Sequence, residues 1–215
     1  MPITAPIIIE IDKNTWLINE YKGTLSYLIL GSDKGLLIDC NSSSIDYDKV
    51  ATRLFKGKSY DFISTNPSNY NSFEDEIIDL GKRKIRLIHT PGNTKNSVSY
   101  YDENSGIIFT GNALLSHIYL EEAVSDELLS LLRIRSLKPK RIYPSKLDLD
   151  DYRSLKEDVL EDAIGASRAF LHSSREAYLD KVDSNTIVYG KVKITLKEGK
   201  IWNEGEPHTP YPMGM

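Results

Sequence analysis

The sequence predicts an α/β (α+β) fold, and three observations predict it. Short apolar, β-rich runs separated by turn signals fill the first half of the chain. Apolar residues at helical spacing dominate from about Ser125 onward. No internal repeat or composition shift divides the 215 residues, a length that suits one core, so residues 1–215 read as a single domain.

The elements follow in order. "PIIIEID" (Pro6–Asp12) and "TWLIN" (Thr15–Asn19) read as strands. "GTLSYLILGSDKGLLIDCN" reads as a hairpin turning at "GSDKG". Its second arm, "GLLID", is apolar throughout, as a strand buried on both faces should be. "SSIDYDKVATRLFKG" reads as a helix with Asp46 as N-cap and Gly57 as its stop. "YDFIST" reads as the next buried strand. Ser72 with Asp75 three residues on resembles a capping box, which predicts a helix over "SFEDEIIDLGK". "KIRLIHTPGN", "SVSYYDEN" and "GIIFTGN" read as three more strands. "SDELLSLLRIRSL" reads as a helix capped by Ser125, with acids in its first turn. "KRIYP" is a short strand. The spacing of Leu155, Val159, Ala163, Ala166 and Phe170 predicts a long amphipathic helix reaching about Lys181. "TIVYGKVKITLKEGKIW" closes as strands turning at "KEGK", before an irregular tail, "NEGEPHTPYPMGM".

Composition narrows the function. A net charge of -4 argues against a nucleic-acid partner, which calls for a basic stripe. The lone Cys40 excludes an internal disulfide and any Cys-rich zinc site. No apolar run approaches the roughly 20 residues of a membrane span. "MPITAPIIIEIDKN" has no basic region followed by a long apolar core, so no signal peptide is read there. The expectation is a cytoplasmic protein with no membrane partner.

Five segments in one order, across roughly residues 15–147, resemble the metallo-β-lactamase fold superfamily. "YLILGSDKGLLIDCN" looks like its opening hairpin, ending at Asp39. "FISTNPSNYN" stands where that family has its His-x-His-x-Asp-His metal motif. "IRLIHTPGNT" looks like its His-Thr-Pro-Gly-His-Thr segment, "GIIFTGNAL" like its strand ending in Gly-Asp, and "RIYPSKLD" like its last histidine turn. The resemblance implies an αββα sandwich with a site for one or two metals at one edge, between the sheets.

Carried over residue by residue, none of the family's metal ligands is present. The first motif's positions are Asn66, Ser68, Tyr70 and Asn71, with Asn69 between them. The later positions are Asn93, Asn112 and Lys146. Zinc takes thiolate, imidazole or carboxylate donors, for which a neutral amide is a poor substitute. Calcium sites accept amide oxygens but normally add several carboxylates. An ammonium at Lys146 would repel a dication. Without a metal, the hydroxide nucleophile of the family is lost. The resemblance therefore implies no metal, no cofactor and no catalytic residues at these positions.

Two readings of the polar cluster stand. It is a relaxed former site kept polar by contact with water, or a pocket whose amides recognise a polar or anionic small molecule. Asp39 is expected to bond the loops that follow it. Cys40 reads as a small core residue, and His89 as bonded to backbone at its strand end. A nucleophilic Cys40–His89 pair has no spacing argument behind it. The expected function is a metal-free, non-hydrolytic protein that binds a small molecule or a protein partner, a second copy of itself included. The alternative is a hydrolase of thioester, lactone or phosphoester type with a non-standard site or another metal site.

Overall fold

A computed structural model describes residues 6–20, 23–68, 75–147, 154–155, 157–171 and 186–197. Asn69, Tyr70, Asn71, Ser72 and the C-terminal tail lie outside the described residues.

The first sheet contains β1 (Ile7–Asp12), β2 (Thr15–Asn19), β3 (Leu25–Leu30), β4 (Gly35–Ile38) and β5 (Tyr60–Ile63), in that spatial order. Helix α1 (Tyr47–Leu54) connects the last two, which makes β4 and β5 parallel. Asp46 caps α1, its carboxylate accepting from Lys49 N at 2.9 Å. The second sheet orders its strands β11-β9-β8-β7-β6. These are β6 (Glu76–Asp79), β7 (Lys84–His89), β8 (Val98–Asp102), β9 (Ile107–Gly111) and β11 (Arg141–Pro144). A small third sheet joins β10 (His117–Leu120), β13 (Val192–Leu196) and β12 (Thr186–Tyr189). Helices α2 (Val124–Ser136) and α3 (Glu157–Leu171) complete the described elements.

Strand alternation sorts the side chains into layers. Tyr27, Ile29, Leu36, Ile38, Ile85, Leu87, Ile107 and Phe109 meet between the two large sheets. Leu28, Leu30 and Leu37 face the other way and bury Ala51 and Phe55 of the α1 segment. Ile88 and Ile108 face outward from the second sheet onto α2, α3 and the third sheet. The result is the αββα sandwich that the sequence resemblance implies.

Several local expectations are corrected. The segment expected as a helix after Ser72 contains β6, paired antiparallel with β7 from Glu76↔Leu87 to Asp79↔Lys84. The turn between them is Gly81–Lys82, both at positive φ, which is the two-residue hairpin geometry. Ladder pairing with β7 overrides a local capping signal worth about 1 kcal/mol. The "YDFIST" strand forms, but as an edge rather than a buried strand, with Phe62 53% exposed. Helix α2 starts at Val124 with Ala123 as its cap, so Ser125 lies inside the first turn. The last helix starts at Glu157, because Leu155 instead bridges to Ile142 (Leu155 N to Ile142 O, 2.7 Å). Its expected extension beyond Leu171 lies outside the described residues. The described closing strands turn at Gly190–Lys191, and the expected turn at "KEGK" falls on residues 198–200, outside the described residues. Strand β10, unanticipated in the sequence, pairs parallel with β13.

Candidate functional site

Strands β4 and β5 run parallel, as do β9 and β11, and β7 shares the direction of β9 because each is antiparallel to β8. The segments that leave these strands at their C-terminal ends therefore come out along one edge of the sandwich. They are Asp39–Cys40, Ser64–Ser68, Thr90–Ser97, Gly111–Asn112 and Ser145–Lys146. Each described candidate position lies in one of them except His89, which ends β7.

The segments are tied together across the two sheets. Val98 N donates to Thr65 O at 2.9 Å, and Tyr100 Oη donates to Ser64 O at 2.8 Å. Gly111, at φ +56°, lies so close to Thr65 that a Cβ on it would stand 2.2 Å from Thr65 Oγ1. Only glycine suits both that backbone angle and that contact. Ser145 N donates to Gly111 O at 2.8 Å, and Leu25 N to Ser145 O at 2.9 Å. Tyr27 Oη donates to Pro144 O.

Asp39 ends β4 in a left-handed conformation, φ +55°. Its Oδ1 accepts from Ser64 Oγ at 3.2 Å and Thr65 N at 2.8 Å, and its Oδ2 from Thr65 Oγ1 at 2.7 Å. Burial raises its pKa above the usual carboxylate value, while these bonds from Thr65 and Ser64 oppose the rise. Asp39 is thus a loop anchor, bonded to its own neighbourhood.

The amides of Asn66, Asn93 and Asn112 are also bonded within the protein. Asn66 Oδ1 accepts from Thr94 Oγ1 at 2.8 Å, and Thr94 Oγ1 lies 2.9 Å from Ser97 Oγ. Asn112 Oδ1 accepts from Ser145 Oγ. Asn93 Nδ2 donates to Tyr119 O at 2.7 Å. Ser68 participates through its carbonyl, which accepts from Asn96 Nδ2 at 3.1 Å. Lys146 is exposed and pairs by backbone with Thr24. Hydrogen bonds from these residues therefore tie the edge segments to one another and to β10. Thr94, Ser97 and Ser145 carry this network. The sequence offered no signal for them, since their partners are up to 33 residues away.

Cys40 and His89 do not form an activated pair. The Cys40 thiol faces the carbonyls of Ile38 and Tyr27 at 3.6 and 3.9 Å. Burial, with the charges of Glu20 and Asp39, pushes its pKa up to about 12, the opposite of an activated thiolate. His89 Nε2 lies 2.7 Å from Lys95 O.

Against the Thr90–Ser97 loop lies an acid of the first turn of α2. Glu127 is 0% exposed, and among the described residues neither carboxyl oxygen has a hydrogen-bond partner. Its Oε2 sits over Gly92, where a Cβ would be 1.8 Å away. Burial raises its pKa well above the carboxylate range.

The residues present do not fit the family's metal. Among the described residues, no three His, Cys, Asp or Glu side chains gather in a way that could hold an ion. The positions that stand in for ligands offer neutral amides, hydroxyls and an ammonium, and the described amides among them are already engaged.

Comparison with known proteins agrees with the architecture. The sequence profile of the Metallo-beta-lactamase superfamily matches residues 46–146. A hydroxyacylglutathione hydrolase from Chelativorans sp. (strain BNC1) is 25% identical over 141 residues. That match covers 66% of this chain but 47% of the relative, so the chain spans about half the relative's length. The structure of a metallo-beta-lactamase from Pontibacter korlensis superposes with a TM-score of 0.59 at 13% identity, covering 76% of this chain and 99% of that one. The apo chemotaxis sensor ODP from T. denticola superposes with a TM-score of 0.54 at 13% identity, covering 75% of this chain and 92% of that one. Sandwich, loop order and profile agree: residues 46–146 match the metallo-β-lactamase superfamily, and the described chain has the αββα sandwich of that fold.

Proposed function

We propose that this chain is a degenerate, non-hydrolytic member of that superfamily that works without a metal as a binding protein for a polar or anionic small molecule. The observation that carries this reading is the hydrogen-bonded loop network itself. Asn66, Asn93 and Asn112 stand at three ligand positions from three different loops, and each bonds a partner outside its own loop. Metal binding would have to break those bonds and gain only neutral donors in return. The fold's use in a chemotaxis sensor supports a recognition role, since fold alone does not dictate catalysis.

A second reading rests on one observation, the likeness to a hydroxyacylglutathione hydrolase. It makes the chain a thioester, lactone or phosphoester hydrolase with a non-standard site. Turnover assays on those three substrate classes, with added zinc, manganese or iron, separate the two. The binding reading expects rates equal to buffer. Metal-dependent turnover that chelator removes and Asn112→Ala lowers would overturn it.

A further inference from the structure

We propose that Asn66, Asn112 and Lys146 form a binding site for a small oxyanion, the phosphate or carboxylate group of a small molecule. The inference deepens the binding reading above and rests on it. Three contacts bring the residues together. Thr65, Gly111 and Ser145 meet, through the close approach of Thr65 Oγ1 to Gly111 and the 2.8 Å bond from Ser145 N to Gly111 O. Asn66, Asn112 and Lys146 are the residues that directly follow these three. They therefore leave one meeting point of three segments, at the same edge of the sandwich.

Their hydrogen-bonding polarity is set by their neighbours. Asn66 Oδ1 accepts from Thr94 Oγ1, and Asn112 Oδ1 accepts from Ser145 Oγ. With each oxygen held, each Nδ2 carries two N–H donors directed away from that partner. Lys146 is exposed and held through its backbone bridge to Thr24, which leaves its ammonium at the surface of this edge. The group presents donors and a positive charge.

The nearby acceptors are otherwise engaged. The Asp39 oxygens accept from Ser64 and Thr65, behind the loop. Asn93 turns its Nδ2 to Tyr119 O, so it is not part of the donor set. A metal centre gathers acceptors around a cation. The same positions here gather donors, whose complement is an anion. Charge-assisted bonds from amide and ammonium N–H groups to phosphate or carboxylate oxygens are among the stronger ones available to a site of this kind.

Calorimetry on the whole chain tests this, with inorganic phosphate in one arm and acetate in the other, at ionic strength held constant with chloride. The wild type is expected to bind one equivalent of at least one of the two anions. The arm that binds identifies the group. Lys146→Met is expected to weaken binding about tenfold or more, the loss of one charged hydrogen bond. Asn112→Asp keeps the acceptor for Ser145 but replaces the donor with charge, and is expected to abolish binding. Unchanged melting temperatures would show that both variants fold, and Asn66→Ala, at an exposed position, gives a third variant expected to weaken binding. Absence of saturable heat from either anion overturns the proposal, as does equal affinity in wild type and variants. Zinc content measured on the same samples separates the two failures. Zinc-free protein that binds no anion sinks this site and leaves the metal-free reading intact. Anion binding that appears only with one equivalent of zinc sinks both.

Discussion

The Arg83–Asp102 pair holds the site-distal end of the sandwich together, and its removal has a size that can be worked out. Arg83 is 8% exposed and Asp102 is 0% exposed. Arg83 Nε and Nη2 reach Asp102 Oδ2 at 3.1 and 2.5 Å. Nη2 also donates to Thr15 Oγ1 at 2.6 Å, and Nη1 donates to the carbonyls of Asn14 and Leu30 at 3.2 and 3.3 Å. One guanidinium thus joins the β1–β2 turn and β3 of the first sheet to β8 of the second. Arg83→Met leaves the Asp102 charge buried and unpaired, which costs about 3–5 kcal/mol. For a chain of this length each kcal/mol lowers Tm by about 2–4 °C, so the melting temperature should fall by roughly 6–20 °C. The double variant Arg83→Met/Asp102→Asn removes the stranded charge while keeping a side chain that can still accept from Asn104 N, a bond of 3.1 Å in the native turn. It should be more stable than the sum of the single changes by about 0.5–3 kcal/mol. Urea unfolding of all four proteins measures both quantities. Strict additivity of the two single variants would refute the argument that the buried charge, rather than lost packing, sets the cost.

Three further outcomes follow from the same structure. Glu127 has a folded pKa raised above its ordinary value of 4.5, so its contribution to stability is present below that value and is lost as pH climbs through the raised one. Glu127→Gln should therefore gain stability relative to wild type as pH rises, and a difference between them that is flat from acid to alkaline pH would contradict the burial argument. Gly92→Ala places a Cβ 1.8 Å from Glu127 Oε2 at φ +150°, and should destabilise by about 2 kcal/mol or more in chemical denaturation. Cys40, with its thiol pKa pushed up to about 12, should react with iodoacetamide at pH 8 far more slowly in the native protein than in the unfolded chain. Equal rates would show the thiol to be free of these constraints.

The layers of the sandwich were legible because strand burial writes itself into side-chain alternation. "SYLIL" and "GIIF" carry the apolar identity of both faces directly, and Asp46 announces α1 through a bond only three residues long. What was illegible depends on distant partners. The Ser72–Asp75 signal is local, whereas β6 exists because β7 pairs with it. That Asn66, Asn93 and Asn112 bring neutral amides to this edge could be read one position at a time. Their new partners Thr94, Tyr119 and Ser145 could not, since each is 26 to 33 residues distant. Glu127 shows the same limit from the other side. An acid in a helix's first turn suits the macrodipole, and nothing local announces that Glu127 is fully buried against Gly92.

The central claim is that hydrogen bonds, and not a metal, tie the loops at this edge of the sandwich. Metal content by mass spectrometry tests it most directly, on protein purified without chelator, incubated with zinc, manganese and iron, and freed of excess ion. The account predicts no metal above background in wild type, and the same for Asn66→Ala and Asn112→Ala. One equivalent or more of tightly held metal in the wild type, lost in Asn112→Ala, would contradict it.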